Sequence, residues 1–114
     1  MKNILLNHDS EIFVYSVPDI VADNLEKYCS EFNEWLWKSP DAEEYRILND
    51  DDSGRFVGVA YGAEDFIKYL NTWVFPNTPS QLVEILDYID YYGWIGDAIS
   101  FLPEQYKHCA WYSF

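Results

Sequence analysis

Ile4-Leu5-Leu6-Asn7-His8-Asp9-Ser10-Glu11-Ile12-Phe13-Val14-Tyr15-Ser16-Val17 is the stretch whose reading decides the fold. Residues 4–7 and 11–17 are two apolar runs separated by the turn-forming His8-Asp9-Ser10, which predicts a hairpin. Along the second run Ile12, Val14 and Ser16 share one face, and Phe13, Tyr15 and Val17 share the other. Both faces are apolar, as expected of a strand in the middle of a sheet. Then the period changes. Val21, Leu25, Tyr28, Cys29, Phe32, Trp35 and Leu36 recur at helical spacing, so a helix with one buried stripe is predicted over residues 17–38. Ser16 would cap it, Pro18 suits its first turn, and Asp19 completes a Ser-x-x-Asp capping pattern. Ser39-Pro40 would stop it.

A similar order returns downstream. Residues 45–48 and 55–61 flank the polar run Asn49-Asp50-Asp51-Asp52-Ser53-Gly54, predicting a second hairpin with a loop at its tip. Phe66, Ile67, Leu70, Trp73 and Val74 mark a helix beginning at Ala63, with Glu64 and Asp65 where the helix dipole favours acids. Pro76-Asn77-Thr78-Pro79 breaks it. Thr78-Pro79-Ser80-Gln81 reads as another capping box, and Leu82, Ile85, Leu86 and Ile89 as the stripe of a third helix ending near Gly93. Residues 95–102 fit a short helix, and residues 109–114 alternate weakly, compatible with a last strand or a packed extended tail. The expected fold class is α+β: a small antiparallel sheet from two hairpins, in ββα-ββα-α order, covered on one face by about three helices.

With 114 residues, 49% hydrophobic and 19% aromatic, the chain can fill one core, so residues 1–114 are expected to form a single acidic domain. Twenty acids against seven Lys and Arg give a formal charge of -13, which argues against direct contact with nucleic acid or an anionic membrane. The same charge favours a basic protein partner. The first apolar run ends after three residues and no segment approaches a membrane span, so a cytoplasmic location is expected. Cys29 and Cys109 are compatible with one long-range disulfide, but in that location two reduced thiols are expected. Self-repulsion predicts that added salt raises the melting temperature near neutral pH. Equal melting temperatures in low and high sodium chloride would show that the acids are already compensated by buried pairing or bound cations.

Motifs for chemistry are lacking. Gly93-Trp94-Ile95-Gly96 and Gly54-Arg55-Phe56-Val57-Gly58 have neither phosphate-loop ending nor dinucleotide spacing, and no Gly-x-Ser-x-Gly occurs. Asp50-Asp51-Asp52-Ser53-Gly54 does not place the glycine and glutamate of a calcium loop. His8, His108, Cys29 and Cys109 show no zinc spacing. No catalytic residue, metal or cofactor is therefore expected.

The acids are ordered instead. Asp19, Asp23 and Glu26 fall at i, i+4 and i+7 on the first predicted helix, and Glu84, Asp87 and Asp90 at i, i+3 and i+6 on the third. Tyr91, Tyr92 and Trp94 lie beside the second row and supply the residue types of binding hot spots. In size and acidity the chain is similar to nucleic-acid mimics that block restriction or CRISPR enzymes and to immunity proteins that neutralise nuclease toxins, a likeness of composition without a motif. These features predict a non-catalytic inhibitor that covers a basic nucleic-acid-binding or nuclease site, with those nine residues as its partner-binding face. The alternatives are a small sugar-binding or hydrolase domain using two acids in an aromatic cleft, and an accessory domain marked by an exposed apolar patch.

Overall fold

The computed structural model describes residues 1–8, 11–48, 56–86 and 102–114. The chain begins with strands β1 (Lys2–His8) and β2 (Glu11–Val17) and helices α1 (Asp19–Asp23) and α2 (Leu25–Lys38). A 3-10 turn (Pro40–Tyr45), strands β3 (Arg46–Leu48) and β4 (Phe56–Val59), and helix α3 (Ala63–Tyr69) follow. Helix α3 runs on as a π turn (Leu70–Val74), and strand β5 (Gln81–Leu86), a second 3-10 turn (Glu104–Tyr106) and strand β6 (Ala110–Ser113) come last.

Strands β1 and β2 form the predicted antiparallel hairpin, with Ile4 opposite Tyr15 and Leu6 opposite Phe13. On its other edge β2 pairs antiparallel with β5, while β1 pairs in parallel with β6, so the four-stranded sheet is mixed, in the order β5-β2-β1-β6. The strand with two apolar faces is thus an inner strand. Ile4, Leu6, Tyr15 and Val17 meet the buried stripe of α1 and α2, which is the stripe read from the sequence, together with Phe66 of α3. Leu5, Ile12 and Val14 point the other way and pack with Leu86, Leu102 and Tyr106.

The sheet is mixed where an antiparallel one was expected, because β6 joins β1 in parallel, and three further expectations change. The helix over residues 17–38 is split at Asn24, whose φ of -134° and ψ of 40° leave the helical region. Its side-chain amide donates to the Ile20 carbonyl at 2.9 Å, a local bond that competes with the helical ladder. Ser16 belongs to β2 and caps nothing; Pro18 holds the N-terminal position of α1, and no side-chain cap bond is made there.

Strands β3 and β4 pair antiparallel as predicted but form a separate two-stranded sheet. Arg46 accounts for their position. Its Nε donates to the Leu36 carbonyl at 2.8 Å and its Nη2 to the Ser39 carbonyl, fastening β3 to the C-terminal end of α2. A cation suits the free carbonyls and negative dipole there.

Most consequential, residues 81–86 are a strand and not the start of a third helix. A short apolar run with Val83 and Ile85 fits either period, and the open edge of β2 decides between them. Asn71, in the π turn, makes two bonds to one residue: Oδ1 accepts from the Ser80 N–H at 2.7 Å, and Nδ2 donates to the Ser80 carbonyl at 3.1 Å. That clamp holds the chain extended where the capping box was read. Val83 is the extra residue of a bulge between the Val14–Glu84 and Tyr15–Leu82 pairs. The remainder of the predicted third helix lies outside the described residues, as does most of the short helix expected over residues 95–102. Among the described residues no helix is long and apolar enough to cross a membrane.

Candidate functional site

The first predicted acidic row is interrupted, and of the second only Glu84 lies among the described residues. Asp19 accepts an ion pair from the Met1 amine at 2.9 Å, a bond that holds its carboxyl below the usual range, and Asp23 pairs with Lys2 Nζ at 2.7 Å. The break at Asn24 also separates these two from Glu26, which is exposed in the first turn of α2. Glu84 sits opposite Val14, on the sheet face away from the α1 and α2 stripe, where its carboxylate accepts the Tyr106 hydroxyl. That bond raises the Tyr106 phenol above its ordinary pKa. Asp87, Asp90, Tyr91, Tyr92 and Trp94 lie outside the described residues.

A different cluster does form, at the C-terminal half of α2. Ser39 Oγ accepts from the Asp41 N–H at 3.2 Å and Pro40 occupies the first position, which starts the 3-10 turn. Ala42 is its buried anchor, so Asp41, Glu43 and Glu44 are turned outward and exposed. Among the described residues none of these three carboxylates makes an ion pair. Next to them is an aromatic wall. Trp35 of α2 lies 6.0 Å from Tyr45, 5.1 Å from Tyr69 and 6.5 Å from Trp73 between ring centroids. The rings are inclined at 44° to 54°, and Trp73 is 53% exposed.

These groups enclose a cleft of about 150 Å³, with Asp41 and Glu44 on one side and Lys68 and Thr72 on the other. Burial raises the Tyr45 phenol, and the neighbouring Asp65 and Glu44 carboxylates raise it further. The Tyr69 phenol is raised in the same order, by burial and then by the Glu31 charge. Both therefore stay neutral at physiological pH and present uncharged rings to the cleft. Chemically the cleft combines π faces with anionic oxygens, a combination suited to cations and to sugar rings.

The sequence carried a signal for this site. Trp35-Leu36-Trp37 is followed, across the Ser39-Pro40 stop, by Asp41, Glu43, Glu44 and Tyr45. Assigning Trp35 wholly to the buried stripe hid it; the ring is half-buried and forms one wall of the cleft.

The other polar groups are placed differently. A hollow of about 350 Å³ lies between His8, Glu11, Phe13 and Glu64, beside Gly62. A Cβ on Gly62 would come within 3.3 Å of the His8 ring, tighter than ordinary contact, so even alanine there requires the imidazole to shift by a few tenths of an ångström. Among the described residues no group of three or more His, Cys, Asp or Glu is arranged to hold a metal ion. Both cysteines are free thiols. Burial pushes the Cys29 thiol up to about 12, whereas Cys109 is half-buried and raised by a smaller burial, its Sγ 3.8 Å from the Gln105 carbonyl. A thiol reagent at pH 8 is expected to modify Cys109 alone in the native protein and both cysteines in denaturant, because only the thiolate reacts. Mass spectrometry before and after denaturation checks this.

No protein-family model, curated protein or solved structure matches the chain.

Proposed function

We propose that this protein is a non-catalytic binding module that docks on a basic surface of another protein, of the kind that handles nucleic acid, and occupies it. The observation that carries this reading is the outward-facing acidic turn Asp41, Glu43 and Glu44 standing against an aromatic wall with an exposed Trp73. Its physics is that of a binding hot spot: charge steers the encounter and rings anchor the contact. The overall charge of -13 adds long-range attraction to such a partner.

Asp41 and Glu44 are both exposed, so neither has the apolar burial on which a protonated general acid depends. A cleft of about 150 Å³ is also smaller than the roughly 300 Å³ at which small-molecule sites begin. These two facts favour binding over hydrolysis. The inclined Trp35 and Trp73 rings beside two acids favour sugar stacking as a second reading, and a glycan array separates the two.

The test compares the protein with its Asp41→Lys/Glu44→Lys variant, both immobilised and exposed to soluble basic nucleic-acid-binding proteins from a lysate. Retained proteins are then purified for kinetics. The expected result is a basic protein held by the parent and lost by the variant, with an association rate falling about tenfold or more from low to physiological salt. Equal retention by both, or an association rate indifferent to salt, overturns the reading.

A further inference from the structure

The identity of the group that enters the cleft rests on the protein-binding reading. We infer that the cleft between the 3-10 turn and the α3 end is a receptor for one arginine side chain of the partner, its guanidinium lying against the exposed indole of Trp73, with Trp35 behind it, and paired with Asp41 and Glu44.

Size comes first. At about 150 Å³ the cleft is half the roughly 300 Å³ at which small-molecule sites begin. That is room for one side-chain head group and too little for a nucleotide or a peptide backbone. The walls come next. Trp is the strongest cation–π partner, and a cation within about 6 Å of a ring centroid is attracted to the π face. Trp35 stacks on Phe32 at 22° and is inclined to Tyr69 and Trp73 by 44° and 46°, so it backs the cleft, and Trp73, 53% exposed, supplies the open indole.

The acids choose among cations. A guanidinium is planar, weakly hydrated and always charged, and it presents a fork of donors to carboxylates while stacking on an indole. An ammonium is compact and strongly hydrated and cannot stack. A quaternary ammonium satisfies the rings and makes no hydrogen bond to Asp41 or Glu44. Two rim carboxylates beside inclined aromatic walls therefore suit arginine better than either.

Lys68, from α3, is the one cation bordering the cleft among its lining residues. It opposes the incoming charge. Its removal should strengthen binding, whereas a purely structural cleft would be indifferent to it.

The experiment titrates the full chain with N-acetyl-arginine amide, following the indole N–H resonances of Trp35 and Trp73 by NMR. N-acetyl-lysine amide and tetramethylammonium chloride are the comparators. The arginine probe is expected to shift both indoles saturably and more tightly than either comparator. Asp41→Asn/Glu44→Gln should weaken it about fivefold, the scale of exposed ion pairs. Lys68→Ala should tighten it, and Trp73→Ala should abolish the Trp35 shift. All four positions are exposed, and unchanged far-ultraviolet dichroism confirms that the variants fold. Absence of indole shifts with arginine, equal response to tetramethylammonium, or weakening by Lys68→Ala each overturns the assignment. The two proposals fail separately. Loss of partner retention in Asp41→Lys/Glu44→Lys with no arginine response removes this inference and leaves the protein-binding reading. Arginine binding without a retained basic partner does the reverse.

Discussion

Phe32→Ala is expected to lower the unfolding free energy by about 3–5 kcal/mol, the range for deleting a fully buried phenylalanine ring. Phe32 is 1% exposed and touches more rings than any other residue described: Trp35 at 6.1 Å, Tyr61 at 5.4 Å, Phe66 at 5.5 Å, Tyr69 at 5.3 Å and Phe114 at 6.4 Å between centroids. Those partners come from α2, α3, the segment between β4 and α3, and the C-terminal end. Trp35, Phe66 and Tyr69 are held on helices, so the hole left by the ring closes poorly. Aromatic pairs add about 0.5–1.5 kcal/mol each beyond the area they bury, which places the cost toward the upper end of the range. Against a total of about 5–15 kcal/mol for a domain, that is a large share. Urea unfolding of Phe32→Ala beside Phe32→Leu measures it; the leucine variant retains most of the volume and should lose less than half as much. A loss under about 1 kcal/mol for the alanine variant would show that the cluster collapses around the hole, contrary to the packing argument.

The Phe32 cluster was legible in outline. A stripe at 3.6-residue spacing needs only local sequence, and Val21, Leu25, Tyr28, Cys29, Phe32 and Leu36 are all buried as read. The hairpin of β1 and β2 was equally local. What could not be read depended on distant partners. Residues 81–86 carry a pattern that fits either period, and the edge of β2, more than sixty residues upstream, makes them a strand. The spacing read for the acids assumed one helix where Asn24 makes a local break and a second helix where Glu84 belongs to β5. The cleft was missed because its four rings come from three elements, and no window of sequence contains them together. Its acids were visible within the run between Asp19 and Asp52, but a count of charge does not say which carboxylates are already paired.

Deleting Ala110–Phe114 is expected to remove the cooperative unfolding transition altogether. The reason lies in the strand that sequence left open between strand and tail. Strand β6 runs parallel to β1, placing Ala110 opposite Ile4 and Tyr112 opposite Leu6, and the Phe114 N–H donates to the Asn7 carbonyl at 2.9 Å. A parallel neighbour requires a long crossover, so the alternation of Ala110, Tyr112 and Phe114 is visible locally while its partner is not. Energetically, Tyr112 and Phe114 pack against the helix-side core, with rings 5.2 Å apart, and Ile4 and Leu6 beneath them are fully buried. Removing the strand forfeits two partly buried aromatic side chains, each worth at most about 3 kcal/mol, and opens the β1 edge beside two fully buried apolar side chains worth about 1.5–3 kcal/mol each if fully bared. The sum is comparable with the whole stability of a small domain. Phe114→Ala alone removes one of those contributions and should remain cooperative, with a loss of at most about 3 kcal/mol because the ring is only partly buried. Near-ultraviolet dichroism followed through thermal unfolding distinguishes the cases. A sharp transition in the deleted form would mean that β1 and β2, closed on one side by β5 and covered by α2, suffice as a core. It would also reduce β6 to an appended edge, in which case Phe32 would keep four of its five aromatic neighbours and the Phe32→Ala cost would be nearly unchanged in the shortened chain.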